Sequence, residues 1–323
     1  MSTDVAGRVA ALGLLGAGEP VVVAFSGGRD SLCLLDVAVG LAGPGAVLAV
    51  HVHHGLRGPD ADRDAVSAAA TAGRVGAAVR VRRLTVPGTL RASGSSPVGW
   101  ARDARREALR AAADAWAGPG TRVLVGHTAT DQAETVLLRA VSSPGTRSLS
   151  GIAPRDDRRG VLRPLLEAGV TRGEAGDWCT ARGLRWRDDP TNPGTPRGRV
   201  RALLPQLERI DARAVAALGR TAALAREDDD ALVVAASALV GPEGDVALRA
   251  LGAAPVAVGR RVLRRLAEDA VGAPCPRVGA RLPDVLALRP EGGGTAALDV
   301  GDGVRVLVRA GRLRCAASPP REG

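Results

Sequence analysis

The stretch Val21-Val22-Val23-Ala24-Phe25-Ser26-Gly27-Gly28-Arg29-Asp30-Ser31 decides the fold of this chain. Its apolar run predicts a buried strand, and residues 32–38 predict that a helix follows the glycine-rich turn. A helix N-terminus behind such a turn directs backbone N–H groups at an anion. The glycines permit close approach, the serines add hydroxyl donors, and Asp30 can hold a metal ion that bridges phosphates. The structural alternative is an ordinary glycine turn that begins a helix.

The basic residues of this chain are all arginine, because the 323-residue sequence contains no lysine. The Walker pattern, which ends in Gly-Lys, is therefore excluded. The formal net charge is +10, and arginine exceeds acid in residues 77–122 and 155–201. Clustered arginine indicates a phosphate-rich partner such as a nucleic acid, whereas solvated helix faces and a GC-rich genome are the alternative explanation.

The cysteines and apolar runs narrow the class of protein. The four cysteines are widely separated and form no Cys-x-x-Cys pair, which argues against a zinc ribbon or an iron–sulfur cluster. No apolar run reaches the roughly 18 residues that span a membrane, and we see no signal-peptide pattern. We therefore expect a cytoplasmic protein that has no membrane partner.

Short apolar runs alternate with helical patterns up to residue 141, which predicts a doubly wound, Rossmann-like parallel sheet. The predicted strands are residues 21–25, 46–52, 79–86 and 122–126, and the predicted helices are residues 30–40, 60–72, 97–116 and 130–141. We expect a loop-rich connection at 142–165, a helix at 170–182 and a flexible Pro/Gly/Arg-rich loop at 185–201. The pattern is then mainly helical, with short strands in 295–316. We predict a catalytic domain at 1–208 and a second region at 209–323.

The four histidines lie in two segments at the ends of predicted strands, where parallel sheets bind their ligands. Three occur in residues 51–54, and the fourth, His127, opens the segment 127–135. His51 fits a core position on its strand. His53, His54 and His127 are predicted to lie where a nucleotide would bind.

Charged residues near these strand ends form spaced groups. Asp131 and Glu134 share a helix face and can bind Mg²⁺ or an ammonium group, unless they are ordinary surface acids. Arg102 and Arg105 share another helix face and can bind phosphate, unless that face is merely solvated. Three arginines alternate in the predicted 185–201 loop and suit an anion clamp or, alternatively, a solvated basic loop: Arg197, Arg199 and Arg201.

These motifs resemble a known family. Residues 26–31 resemble the PP-loop of the N-type ATP pyrophosphatases, which cleave ATP between its α and β phosphates. Their combination with His51-Val52-His53-His54-Gly55-Leu56-Arg57 and with residues 127–135 resembles the tRNA(Ile)-lysidine synthetases. Further matches are Ala101-Arg102-Asp103-Ala104-Arg105 and the series Asp189, Asn192, Arg197, Arg199, Arg201, Leu204-Pro205. The resemblance covers about residues 18–208. The chain departs from the family pattern at Val98, at Arg106 and at residues 142–145.

The resemblance implies a reaction. Free L-lysine would be ligated to C2 of the wobble cytidine, position 34, of a tRNA(Ile) with a CAU anticodon. The cytidine would first be adenylated by ATP, and AMP and pyrophosphate would be released. ATP and Mg²⁺ are the implied cofactors, and residues 209–323 would bind the tRNA.

The resemblance also implies roles for individual residues. The nucleotide would be bound by Ser26, Gly27, Gly28, Arg29, Asp30, Ser31 and His53. The catalytic groups would be Asp30, His127, Asp131, Glu134, Arg197 and Arg201. Lysine or tRNA would be bound by Arg102, Arg105, Asp131, Glu134 and Arg199. Asp30 and Asp131 would hold Mg²⁺.

Three other functions stay open at this point. A 2-thiocytidine synthetase is another PP-loop tRNA-modifying enzyme, but it should carry paired Cys-x-x-Cys motifs. An NAD or GMP synthetase is a small-molecule adenylating enzyme, and it should lack the segment 51–57. A non-catalytic tRNA-binding protein should show no tRNA-dependent exchange of pyrophosphate into ATP. The sequence leaves the oligomeric state open, and a homodimer is one arrangement that we consider.

Overall fold

The computed structural model describes residues 4–53, 59–85, 97–143, 145–187, 195–290 and 294–319. The chain forms two compact units, Met1–Ala223 and Leu224–Gly323. The domain boundary at residue 208 that we predict between a catalytic domain and a tRNA-binding region stays a prediction. None of the described helices is both long and apolar enough to cross a membrane.

The first unit is built on a six-stranded sheet with the order β3-β2-β1-β4-β6-β5. Its strands are β1 Val21–Ala24, β2 Val47–His53, β3 Ala78–Arg83, β4 Arg122–Val125, β5 Arg155–Asp156 and β6 Val161–Leu162. All neighbours pair in parallel except β5, which is antiparallel to β6. The predicted doubly wound parallel sheet is confirmed.

Helices cover both faces of this sheet. They are α1 Val5–Ala10, α2 Arg29–Ala42, α3 Pro59–Val75, α4 Pro97–Ala117, α5 Ala129–Ser142, α6 Thr146–Leu149, α7 Pro164–Glu167, α8 Arg172–Ala181 and α9 Pro196–Ile210. Apolar side chains of α2 and α8 form a core on one face, and α4 packs on the other. Every residue of β1 and β2 is buried, as expected of central parallel strands. The carboxyl ends of these strands therefore carry the loops on which ligands can bind.

Two predictions about loops were wrong. The predicted loop-rich connection at 142–165 contains α6, β5, β6 and the start of α7. Two-residue strands are too short to produce a periodic pattern, so the sequence gives no signal for them. The predicted loop at 185–201 becomes helical at Pro196, because the Thr195 hydroxyl caps the Gly198 N–H at 3.0 Å and proline suits the first turn. Residues 188–194, with Asp189 and Asn192, lie outside the described residues.

The second unit contains the end of α10 Ala214–Ser237, the helices α11 Leu248–Ala253, α12 Val256–Val271 and α13 Leu282–Leu286, and four strands. The strands are β7 Val246–Ala247, β8 Thr295–Gly301, β9 Val304–Arg309 and β10 Arg312–Ala317, in the antiparallel order β7-β10-β9-β8. Their buried faces pack on α12 and α13. The prediction of a helical region with short C-terminal strands is confirmed.

Candidate active site

The glycine-rich turn between β1 and α2 is held in shape by its own serines. The Ser31 hydroxyl donates to the Gly28 carbonyl at 2.9 Å and lies 3.0 Å from the Ser26 hydroxyl. Gly27 has a φ of +83°, where a side chain would be strained. Gly28 precedes α2 and offers no side-chain cap, so the first turn of this 14-residue helix keeps its N–H groups for an anion.

Asp30 lies in the first turn of α2, and only one of its two carboxylate oxygens has a hydrogen-bond partner among the described residues. Its Oδ2 accepts a hydrogen bond of 3.0 Å from Arg172 Nη1, and its Oδ1 is buried without a partner among the described residues. Burial raises the pKa of Asp30 to about 6, and the Asp131 carboxylate also raises it, whereas Arg172 opposes the rise. An unsatisfied carboxylate oxygen beside a phosphate cradle is suited to a divalent cation.

Three residues that the sequence analysis did not single out complete the wall of the turn. Gly126 ends the β4 segment so close to α2 that a Cβ there would lie 3.0 Å from the backbone of Asp30 and Ser31. The N–H of Arg187 donates to the Gly27 carbonyl at 3.3 Å. The Trp186 ring lies 5.1 Å from the Arg29 guanidinium, a cation–π contact. A glycine directly after a parallel strand was the available signal for the first of these.

The segment after β4 brings His127 and Asp131 to the same end of the sheet. Asp131 Oδ2 accepts from the backbone N–H of Thr128 at 2.9 Å, and this capping box starts α5. Arg163 Nε donates to His127 Nδ1 at 3.0 Å. Burial lowers the pKa of His127 to about 4, although Asp131 opposes this. His127 is therefore a neutral imidazole with its proton on Nε2.

Glu134 forms a buried ion pair across two helices. Its side chain is 0% exposed, and Arg201 of α9 meets both of its oxygens, with Nη2–Oε2 at 3.0 Å and Nε on Oε1. Arg197, one helical turn earlier, donates to Thr135 Oγ1 at 3.2 Å. Arg197 and Arg201 share one face of α9, because they are four residues apart. Arg199 is exposed and lies off that face, because residues two apart do not align on a helix.

The remaining predicted residues lie around this group. His53 is buried at the end of β2, with Nε2 3.2 Å from Asp62 Oδ1. His51 is buried on the same strand and contacts the Phe25 carbonyl through Nδ1 at 3.0 Å, which confirms its core position. Arg102 and Arg105 lie on α4 and share a cavity with His127. His54 and Arg57 lie outside the described residues.

The structure thus collects most of the predicted site residues. Asp30 interacts electrostatically with Asp131 and Arg201, and His127 with Asp131, Arg105 and Arg197. Among the predicted site residues in the described part of the chain, Arg199 is exposed and lies on another side of its helix. No group of three or more His, Cys, Asp or Glu residues in the described ranges could hold a metal ion alone. Asp30 and Asp131 nevertheless fit Mg²⁺, because one or two carboxylates and substrate phosphates are its usual protein ligands.

Comparison with known proteins identifies the family of this chain. Residues 4–207 match the family model of the PP-loop domain. The tRNA(Ile)-lysidine synthase of Nocardia farcinica is 39% identical in an alignment 325 positions long, gaps included, which covers 95% of this chain and 96% of that protein. The chain belongs to the tRNA(Ile)-lysidine synthase family. The family member from Solibacter usitatus is 36% identical in an alignment 272 positions long, which covers 80% of this chain and only 59% of that longer protein.

A solved structure supports the fold. The chain is similar to the U34-tRNA thiolase NcsA from Methanococcus maripaludis, which contains a [4Fe-4S] cluster, with a TM-score of 0.56. The similarity covers 69% of this chain and 78% of the thiolase at 16% sequence identity, a level that supports a shared fold alone. For this chain, the structure adds two features to the sequence motifs: a neutral His127 and an ion pair between Arg201 and Glu134.

Proposed function

We propose that this member of the tRNA(Ile)-lysidine synthase family ligates free L-lysine to C2 of the wobble cytidine of a CAU-anticodon tRNA(Ile), in the cytoplasm. The cytosine O2 attacks the α-phosphate of ATP and displaces pyrophosphate. The lysine ε-ammonium then loses a proton to solvent, the free amine attacks C2 and displaces AMP, and the new C–N nitrogen loses a second proton. The observation that carries this proposal is the partly uncompensated Asp30 carboxylate in the phosphate cradle, beside Asp131.

The residues of the cradle bind and orient the phosphates in this proposal. The N–H groups at the start of α2 and the two turn serines meet the phosphate oxygens. Asp30 would hold Mg²⁺, with Asp131 as a second ligand before lysine binds, and the metal would neutralise charge on the leaving pyrophosphate. Because positioning and charge stabilisation carry most of such a reaction, no residue has to act as a nucleophile.

The residues proposed to bind the lysine substrate, Asp131 and Glu134, lie on α5. Arg201 occupies both oxygens of Glu134, so Glu134 can meet an ammonium group only after this ion pair opens. Asp131 spends Oδ2 on the helix cap, which leaves Oδ1 for a cation. We therefore propose that Asp131 meets the lysine ammonium first, and that Arg201 and Arg197 steady phosphate charge once Arg201 is released.

A thiolase activity is the less favoured alternative. Cys33 and Cys179 are both fully buried, in α2 and α8, and the described residues contain no ligand group for an iron–sulfur cluster.

One experiment tests the proposed function. The protein is incubated with ATP, radiolabelled lysine and a CAU-anticodon tRNA(Ile) transcript, and the tRNA is then digested to nucleosides. We expect label in a single modified cytidine, dependent on ATP and absent with an elongator tRNA(Met) transcript, which has the same anticodon. Pyrophosphate exchange into ATP that requires tRNA would identify the adenylation half-reaction. A protein that binds tRNA but supports neither reaction would contradict the proposal.

We also propose that residues 209–323 bind the body of the tRNA. Val215, at the start of α10, packs with Leu204 and Ala133 of the first unit, so a truncation for this test should follow residue 223 rather than Glu208. Residues 1–223 are expected to bind ATP and to lose tRNA affinity. Full tRNA affinity of a soluble 1–223 fragment would place the tRNA-binding surface in the first unit instead.

A further inference from the structure

Two cysteines face each other inside the first unit, between α2 and α8. Cys33 and Cys179 are both 0% exposed and belong to the same hydrophobic core. The Cys179 thiol donates to the carbonyl oxygen of Arg29 at 3.8 Å. In an α-helix that carbonyl also accepts the backbone N–H four residues later, which here belongs to Cys33. The Cys179 sulfur therefore lies against the turn of α2 that carries Cys33, and the two thiols form a hydrogen bond.

This dithiol is the middle one of three contacts that join α2 and α8 turn by turn. On the side of the phosphate cradle, residues 26–31, a Cβ at Gly176 would lie 3.1 Å from the Arg29 side chain. At the other end, Asp36 Oδ2 accepts from Trp178 Nε1 at 2.9 Å and pairs with Arg182 Nε at 2.7 Å. The two contacts of Asp36 hold the last turn of α8 on α2.

The helix α8 is also connected to the phosphate cradle at both of its ends. At its start, Arg172 donates to Asp30 Oδ2 at 3.0 Å. The segment that follows its end returns to the cradle, where the N–H of Arg187 donates to the Gly27 carbonyl at 3.3 Å. A covalent bond between α2 and α8 would therefore fix one wall of the cradle.

We propose that Cys33 and Cys179 are a site of reversible oxidation, at which a hydroperoxide forms a disulfide that fixes α8 and the segment after it against the phosphate cradle. Cys179 reacts first, because it lies two residues before the end of α8 and the last turn of a helix opens most readily. This modification is separate from the reaction proposed above and does not depend on it.

The oxidation proceeds in two steps. The Cys179 thiol loses its proton, and the thiolate attacks one oxygen of hydrogen peroxide, which gives a sulfenic acid and hydroxide. The hydroxide takes up the proton and leaves as water. The Cys33 thiol then attacks the sulfenic sulfur, the S–S bond forms and a second water leaves. Two electrons pass from the two sulfurs to the peroxide oxygens, and both thiol protons end in water.

The closed structure protects the dithiol from this reaction. Hydrogen bonding to Cys179 and burial both raise the pKa of Cys33, and a protonated thiol is a poor nucleophile. Oxidation therefore requires the last turn of α8 to separate from α2, which breaks the two contacts of Asp36. We thus expect Asp36 to control the rate of oxidation although it takes no part in the chemistry.

The direct test exposes the folded full chain to hydrogen peroxide without urea. Remaining thiols are blocked with N-ethylmaleimide, and the protein is digested with trypsin without a reductant. We expect peptides 30–57 and 173–182 to be joined, at the sum of their masses less two hydrogens, and to separate with dithiothreitol. The other two cysteines lie in the second unit and in other peptides. Sulfinic acid at Cys179 without a joined peptide would overturn the proposal, as would a disulfide that forms only in urea.

The conformational effect is measured on the oxidised protein. A disulfide between distant positions restricts the unfolded chain, so the urea midpoint of the tryptophan signal should rise. Amide hydrogen exchange in residues 183–187 should slow, because the wall of the cradle opens less often. Both changes should reverse with dithiothreitol. Exchange in residues 183–187 that is equal in the oxidised and reduced protein would overturn the proposal that the disulfide fixes this wall.

Variants test the control by Asp36. Asp36→Asn weakens both contacts at the end of α8 and should speed disulfide formation roughly tenfold. Asp177→Asn is the matched control, because it makes the same change at an exposed position of α8, and it should leave the rate unchanged. Cys179→Ala should abolish the joined peptide and make the urea midpoint insensitive to peroxide. Equal rates in Asp36→Asn and the wild type would overturn the proposed opening of α8.

Discussion

Replacing Asp30 by asparagine should stabilise the first unit and abolish its reaction. Asp30 is 14% exposed, and one of its oxygens is buried without a hydrogen-bond partner among the described residues. Burial raises the pKa of its carboxyl from 3.8 to about 6. The folded state therefore disfavours the ionised form, and asparagine removes the ionisation while keeping the shape of the side chain.

The magnitude and its pH dependence follow from the pKa. A rise from 3.8 to about 6 corresponds to roughly 3 kcal/mol between the two ionisation states. In the wild type this destabilisation is nearly absent at about pH 4, grows as the pH rises through the unfolded-state pKa, and is complete above the folded-state pKa. The free energy of unfolding of Asp30→Asn should thus exceed that of the wild type by roughly 3 kcal/mol at about pH 8, and by less than about 1 kcal/mol at about pH 4.

Tryptophan fluorescence during urea unfolding, without Mg²⁺ or ATP, measures this difference. All four tryptophans, Trp100, Trp116, Trp178 and Trp186, belong to the first unit, so the signal reports that unit alone. Asp36→Asn is the matched control on the same helix, because Asp36 has two partners, Trp178 at 2.9 Å and Arg182 at 2.7 Å. It should lower stability. A midpoint for Asp30→Asn that is not raised at about pH 8, or a gain that does not depend on pH, would refute the reasoning.

Three further predictions concern the same unit and its RNA. Glu134→Ala leaves the Arg201 guanidinium without its buried partner and should cost roughly 3 kcal/mol in urea unfolding, whereas Glu134→Gln should cost less. Gly126→Ala places a methyl group 3.0 Å from the backbone of Asp30 and Ser31, so ATP affinity, measured by calorimetry, should fall more than stability does. Binding of tRNA should weaken with salt at a log–log slope of roughly −0.7 to −0.9 per phosphate contacted, and a slope near zero would contradict a role for the arginine clusters.

The sequence predicts the centre of the fold and of the site for a physical reason. β1 and β2 are continuous apolar runs, and a glycine turn of fixed length follows β1, so local signals specify both. The residues that complete the site come from far along the chain. Arg172 reaches Asp30 across 142 positions, and Arg163 reaches His127 across 36. In an arginine-rich sequence, the local pattern around an arginine does not indicate which carboxylate or imidazole it will contact in the folded protein.

The error at residues 185–201 has the opposite origin, since a local signal was present and was outweighed. Proline, glycine and alternating arginines favour a loop by composition. However, Thr195-Pro196 is a helix start, and four-residue spacing places Arg197 and Arg201 on one face. A loop would not distinguish the three arginines. In the helix, Arg197 and Arg201 face α5, whereas Arg199 faces solvent.

The ion pair between Arg201 and Glu134 connects two roles that the resemblance assigns separately, phosphate binding by Arg201 and lysine binding by Glu134. Glu134 is fully buried and cannot lose the positive charge of Arg201 without replacement, because an unpaired buried carboxylate is strongly destabilising. The ammonium of lysine carries the same charge, so we expect it to displace Arg201 from Glu134 and to release that guanidinium toward phosphate. Lysine should therefore increase the phenylglyoxal reactivity of Arg201, whereas norleucine, which keeps the α-ammonium but lacks the ε-ammonium, should not. Unchanged reactivity at saturating lysine would mean that Glu134 stays with Arg201 throughout and that Asp131 alone orients the amine.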